Sequence, residues 1–415
     1  MCVSSWTLLT MMLGAVTATE PPVPPVPNDG KTDVTEALQS LIDKAGQSGG
    51  EVFLPPGMYL VKDHLTLPTG VTLRGSWQAP HHGAYDKGTT LLATRGKGTE
   101  EGPAFIEMRQ SSALKGVTIL YPEQRSDQIH PYPWTIHGEQ MHVTVENVTL
   151  VNSYNGISLG PNNNELHVLR NVFGCVLRRG IFVDFCTDIG RVENIHFNPH
   201  YWVRSGFLAG EEAFDWEGVV QFQKENLEGF IFGKTDWEFV SNCFVIFPKI
   251  GFRFVDAGHG PGNVVLTQSG SDICPCAVQV DQSQPHAGIQ FANCQFMSTI
   301  KVGPKNRGPV KFANCGFWTV PETVEQAVLE GDCTMILNGC HFADWGLADL
   351  KAPCVRATNG RLTVTACDFH APKTQLLLSP GVKAAVVFGN QFRQKERIEN
   401  RCKGNVEVGM NVTYP

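Results

Sequence analysis

The sequence predicts an all-β chain wound as a right-handed parallel β-helix, with one amphipathic helix near the N-terminus. Three observations carry this reading. First, Gly followed by strand-forming residues returns five times: Gly156-Ile-Ser-Leu, Gly180-Ile-Phe-Val, Gly206-Phe-Leu-Ala, Gly229-Phe-Ile-Phe and Gly251-Phe-Arg-Phe-Val. These glycines stand 24, 26, 23 and 22 residues apart, a period that fits a chain winding once per repeat. Second, a marker out of phase with the first places Asn, Gly or Ala three residues before an apolar residue: Asn147-Val-Thr-Leu, Asn194-Ile-His-Phe, Asn242-Cys-Phe-Val, Asn293-Cys-Gln-Phe, Asn314-Cys-Gly-Phe, Gly339-Cys-His-Phe, Ala366-Cys-Asp-Phe and Gly389-Asn-Gln-Phe. Asn171-Val-Phe-Gly belongs to the same series with its apolar residue one place early. Two strand markers per turn require at least two parallel sheets, and asparagines stacked at equivalent turns can bond amide to amide along the ladder. Third, Val34, Ala37, Leu38, Leu41 and Ile42 recur at helical spacing.

Taken in order, residues 1–18 hold the apolar run Trp6 to Val16 and then Val16-Thr17-Ala18, the pattern of a secretory signal cut after Ala18. Residues 19–27 contain PPVPPVP and read as an extended polyproline spacer. The helix follows, with Thr32 or Asp33 as its cap and Glu36 placed as in a capping box. It covers the open end of the first coil, and Glu51-Val-Phe-Leu-Pro-Pro-Gly-Met-Tyr supplies a strand and a turn. From here residues 28–415 form a single solenoid domain.

The run NDGKTDVTEALQSLIDKAGQSGGEVFLPPGMYLV at positions 28–61, followed by LPTGVTLRG at 67–75, closely resembles the N-terminal region of pectate-lyase-superfamily proteins. That group includes rhamnogalacturonases, exo-glucanases, polysaccharide lyases and phage tailspikes. The resemblance implies the parallel β-helix fold and, more loosely, a protein that handles polysaccharides.

Residues 76–110, rich in Gly, Thr and charge, read as a loop excursion, and Tyr121 to His137 as a second insertion. Coils then run from Met141 to Phe254, interrupted by Asn198 to Trp216, and continue beyond Gly288 to Phe392; almost no helix is expected from residue 114 onward. The charged tail, Lys395 to Pro415, closes the C-terminal end.

Of the thirteen cysteines, Cys294, Cys315, Cys340 and Cys367 occupy one place in four successive coils, each two residues before a Phe, which predicts an interior ladder of free thiols. A disulfide outside the ladder, such as Cys333 with Cys354, stays open. Cys274-Pro-Cys276 has the wrong spacing for zinc.

Composition narrows the function. Net charge is −7, with 42% hydrophobic and 18% charged residues, so the chain is globular and carries no basic footprint for nucleic acid. No stretch after the leader has the length of a membrane span. A secreted or periplasmic location follows from the leader, and sequons at Asn147 and Asn411 have meaning only in a eukaryotic secretory host. No cofactor is expected, calcium being the one candidate ion, and the oligomeric state stays open.

The catalytic candidates come from stacking. Residues just after the Gly strands form a column of Gly160, Asp184, Glu211 with Glu212, Asp236 and Asp256. Crowded carboxylates push one another's pKa values apart, so that one serves as general acid and another as base. Glycoside hydrolysis needs such a pair, about 5 Å apart for retention and about 6.5–9.5 Å for inversion. A solvated acidic turn or a calcium site would use the same residues.

Tyr201, Trp202, Trp216, Trp237 and His200 lie in or beside the aromatic insertion and suit the faces of a sugar ring, although such aromatics often only pack an insertion down. Arg179 can hold an acidic sugar or stabilise an enolate-like intermediate, and His259 sits in Ala-Gly-His-Gly immediately after Asp256. The Gly-His-Gly resembles that of polygalacturonases, whose Asn-Thr-Asp and Asp-Asp motifs are absent here. The first expectation is a glycoside hydrolase acting on a polysaccharide or oligosaccharide. A polysaccharide lyase acting on a uronic-acid polymer is the second, and a non-catalytic glycan-binding or adhesion β-helix the third.

Overall fold

The computed structural model describes residues 25–76 and 87–415. The predicted leader, residues 1–18, lies outside the described residues, as does most of the spacer. Parallel strands stack coil upon coil, and each coil contributes strands to three faces. The first face includes Val264–Thr267, Ile289–Ala292 and Val310–Ala313; the second includes Gly270–Asp272, Gln295–Met297 and Gly316–Trp318; the third includes Glu228–Phe232, Ile250–Phe254 and Cys276–Val280. Pairing joins equivalent residues of successive coils. On the first face, for example, Val240 pairs with Leu266, Leu266 with Phe291, Phe291 with Phe312 and Phe312 with Leu337.

Each face turns alternate residues inward, so the registered apolar positions fill the bore. Phe291 and Phe312 stack with ring centroids 4.6 Å apart, Phe317 and Phe342 at 4.7 Å, and Phe342 and Phe369 at 4.8 Å. These separations match the strand spacing, which lets rings stack along the axis without strain. Cys294, Cys315, Cys340 and Cys367 are buried and free, as the ladder predicts, and Cys333 and Cys354 are also free thiols.

The asparagine marker records a bend between the first and second faces. Asn147, Asn171, Asn194, Asn242, Asn293 and Asn314 all have φ between 53° and 57°, a conformation that Asn tolerates better than most residues. The expected amide ladder is present at the first three of these positions: Asn171 Nδ2 donates to Asn147 Oδ1 and Asn194 Nδ2 to Asn171 Oδ1, each at 2.8 Å. The glycine marker records something else. A Cβ on Gly180 would stand 2.2 Å from the Gly229 carbonyl oxygen, and one on Gly156 2.4 Å from that of Gly180. Only glycine allows these coils to approach.

Gly206 does not belong to that series. Arg179 pairs directly with Glu228 and Ile181 with Phe230, so residues 198–227 loop out between two adjacent coils. The loop carries two short helices, His200–Val203 and Trp216–Asn226, the only helices among the described residues after residue 114, in keeping with the expectation of almost no helix there. Three other expectations change. Trp134–Gly138, Thr89–Ala93 and Ile106–Met108 are strands within stretches read as excursions. The tail adds Ile398–Asn400, Asn405–Gly409 and Val412–Tyr414, which continue all three faces. The N-terminal helix runs Thr35–Gly46 with Leu38 and Ile42 buried, but without a capping box: Val34 is its N-cap, and Asp33 Oδ1 accepts the Thr35 amide at 3.0 Å. No helix among the described residues is long and apolar enough to cross a membrane.

Candidate functional site

The turn that follows the third face gathers the chemically active groups. In register, Val183 pairs with Phe232 and Phe232 with Phe254, so the position after the strand holds Asp184, then Gly233, then Val255. Asp236 and Asp256 therefore stand farther along their own turns, and the four-carboxylate column of the sequence reading is not formed.

Gly233 is what gives Asp184 its environment. A Cβ there would lie 2.3 Å from Asp184 Oδ1, and without one that oxygen accepts the Lys234 amide at 2.8 Å. Asp184 Oδ2 meets His259 Nδ1 at 2.8 Å, the carboxylate being fully buried and the imidazole 33% exposed. His259 stacks on Phe185 with ring centroids 4.3 Å apart and planes 2° from parallel. Both oxygens of Asp184 are thus engaged, and its work is positioning. It fixes the proton of His259 on Nδ1 and leaves Nε2 as the proton-transfer atom.

The neighbouring turns supply two carboxylates. Asp236 Oδ1 accepts from Lys234 Nζ at 2.7 Å and from Gln284 Nε2 at 2.6 Å. Partial burial pushes the Asp236 pKa up, but these two donors outweigh it and hold the group below the ordinary carboxylate value. Asp256 is exposed, and its Oδ1 accepts the amides of Gly258 and Gly260 at 3.0 Å each, closing the loop that presents His259. Asp256 also lines a cleft of about 420 Å³ with Arg253, Asp281 and Lys305. Trp237 projects beside Asp236 with 59% exposure.

The other candidates are elsewhere. The aromatic insertion packs on the corner between the second and third faces, not beside Asp184. There Glu211 Oε1 accepts the Ser126 amide at 2.8 Å, Gln223 Nε2 donates to the Val176 carbonyl at 2.7 Å, and Trp216 meets Phe247 edge-on at 6.1 Å. Glu212 is exposed on the same insertion. Tyr201 and Trp202 are buried, the latter edge-on to Phe214 at 5.2 Å, so both serve packing. His200 contacts Trp216 at 4.7 Å, and burial followed by the charge of Arg204 lowers its pKa. Arg179 lies over the Trp134 ring at 4.8 Å on the outside of the third face and donates to Asn155 Oδ1 and Glu100 Oε2.

Asp272 was not foreseen. It lines a small apolar pocket of about 190 Å³ with Phe244, Met297 and Trp318 on the second face, and burial raises its pKa. No motif announces it, because its surroundings come from four different coils.

The rhamnogalacturonase A/epimerase, pectate lyase-like family matches residues 26–113. Among solved structures, DFA-IIIase from Arthrobacter chlorophenolicus A6 in complex with GF2 is similar with 11% identity and a TM-score of 0.51, over 92% of this chain and 96% of that one. The chain has the parallel β-helix fold, and its N-terminal part matches a pectate lyase-like family. Two further solved structures show similarity to the chain. The bacteriophage Phi29 gene product 12 N-terminal fragment has 13% identity and a TM-score of 0.51, over 92% of this chain and 71% of that one. The A-module of Azotobacter vinelandii mannuronan C-5 epimerase AlgE6 has 14% identity and a TM-score of 0.39, over 94% and 97%. No curated protein sequence matches the chain significantly.

Proposed function

We propose that this parallel β-helix protein is a carbohydrate-active enzyme whose proton-transfer group is His259. The observation that carries the reading is the buried Asp184 bonded to a partly exposed imidazole at 2.8 Å, a built acid–base dyad on the outside of a solenoid. Support comes from the N-terminal match to a family named for a rhamnogalacturonase and an epimerase, both of which act on sugars.

Within that class we favour glycoside hydrolysis of a polysaccharide or oligosaccharide outside the cell. His259 moves the proton, Asp236 or Asp256 provides the second charge, and Trp237 offers an apolar face to a ring. The two-carboxylate scheme with Asp184 as a direct participant is set aside, since both Asp184 oxygens already have partners. A lyase acting on a uronic-acid polymer is the second reading, favoured by Arg253 and Lys305 in the cleft beside Asp256.

A polysaccharide panel, followed for new reducing ends and for the ultraviolet absorbance of unsaturated uronates, separates the two reactions. His259→Asn should fold normally and lose about 10²- to 10⁴-fold in rate on the substrate so found. Near-native turnover by this variant would overturn the assignment. Purified protein that binds glycans and turns none over would place the chain with the adhesion-type solenoids.

A further inference from the structure

Beneath the candidate site, inside the solenoid, lies a second polar cluster that the proposed chemistry does not use. His167, Cys186 and Glu238 are all fully buried, and one donor atom from each lies within 4.8 Å of the other two. Nothing near them in sequence announces a metal motif: the three come from different coils.

Hydrogen-bond accounting fixes the imidazole. Asn164 donates its amide nitrogen to the carbonyls of Asp184 at 2.7 Å and Leu159 at 2.8 Å, so its Oδ1 is the atom that faces His167 Nδ1 at 3.0 Å. Nδ1 therefore carries hydrogen, and Nε2 points its lone pair at Glu238 Oε1, 2.9 Å away. Two acceptors face each other across that gap, which requires a cation between them, either a proton or a metal ion. Glu238 Oε2 is buried without a hydrogen-bond partner among the described residues. Space is kept for the group as well. A Cβ on Gly190 would stand 2.3 Å from both Glu238 Oε2 and His167 Cε1.

We infer that His167 Nε2, Cys186 Sγ and Glu238 form a zinc site, with the second Glu238 oxygen completing the ligand set. The chemistry favours this occupant. One imidazole, one thiolate and one carboxylate are the ligand types zinc takes, and the two anions cancel a divalent charge that the apolar bore could not otherwise hold. Asn164 is the outer partner that such a ligating histidine ordinarily has. On ligation the Cys186 thiol gives its proton to solvent and exchanges its bond to the Asp188 carbonyl, 2.7 Å long, for one to the metal. The ion ties together the turn at Asn164, the segment after Asp184 and the strand that opens with Glu238. The inference does not depend on the sugar chemistry.

The test uses the full chain unfolded and refolded with zinc or with cobalt. One zinc per chain should survive dialysis against a moderate chelator, and the cobalt form should show a sulfur-to-metal charge-transfer band in the near ultraviolet. Cys186→Ser should abolish the band, whereas Cys294→Ser in the thiol ladder should keep it. A wild-type measurement guards against a variant that fails to fold: zinc-edge X-ray absorption should find one sulfur at about 2.3 Å and nitrogen or oxygen at about 2.0 Å. Refolded wild-type protein that retains no zinc would leave a proton between His167 and Glu238 and overturn the site. Two or more sulfur ligands, or a band lost with Cys294 and not with Cys186, would overturn it equally.

Discussion

His259 and Asp272 are two titratable side chains held in opposite ways, and the difference can be measured. His259 is carried on a loop closed by Asp256, so Asp256→Ala should loosen its presentation without touching the dyad itself. We expect turnover to fall less than with His259→Asn; a pH profile that keeps its shape would mark lost positioning and leave the second charge to Asp236, whereas a changed profile would assign that charge to Asp256. Among the described residues Asp272 has no ion-pair partner to offset its burial, and its pKa is raised above the ordinary 3.8. The stability it contributes is fully present below that value, where the group is protonated in both states, and is lost as pH rises through the raised folded value. Asp272→Asn should therefore raise the unfolding midpoint relative to wild type at about pH 7 and leave the two nearly equal at about pH 3. An equal difference at both pH values would mean that packing, not ionisation, decides the effect.

At the scale of the element, the glycines divide into two kinds that the sequence presents alike. Gly180 stands where the next coil's backbone approaches, and a methyl group there has no room. Gly206 has nothing within 4 Å of an added Cβ, and only its φ of 79° resists a side chain. Gly180→Ala should cost more than about 4 kcal/mol or prevent folding, and Gly206→Ala about 1 kcal/mol. Denaturant titration of both variants checks this, and comparable costs would contradict the looped-out insertion. The asparagine ladder makes a gentler case. Asn171 bonds both Asn147 and Asn194 and also holds φ at 53°, so Asn171→Ala should lower stability by about 1–2 kcal/mol.

For the whole molecule, the solenoid distributes its core along an axis, so burial is graded by position and not by distance from one centre. The cysteines report this. Cys294, Cys315, Cys340 and Cys367 are nearly or fully inaccessible, whereas Cys276 and Cys402 are partly exposed. A thiol reagent applied to native protein should label Cys402 and Cys276 first and the four ladder cysteines only after unfolding; rapid labelling of the ladder would sink the interior stack.

Period and residue type were enough to determine the winding, the strand corners and the thiol ladder, because each coil repeats one local problem and solves it with the same residues. Asn recurs because each bend needs positive φ, and Phe recurs because each inner face needs the same filling. Asp184 and His259 were also legible as candidates, lying at a strand end and in a Gly-flanked loop. Register was not legible. The Gly206 segment imitates the marker while lying outside the coil, so counting it put Glu211 and Glu212 in a column they do not join, and Asp236 and Asp256 miss that column because they stand seven and five residues past their own glycines where Asp184 stands four past Gly180. The insertion was recognisable by composition, but which corner it covers depends on contacts with Ser126, Val176 and Phe247 that no spacing encodes. Pairing residues 75 positions apart, as Asp184 with His259, or 71 apart, as His167 with Glu238, is decided by how coils stack. One inserted loop shifts that stacking in sequence while leaving it unchanged in space, and only the folded chain brings these groups together.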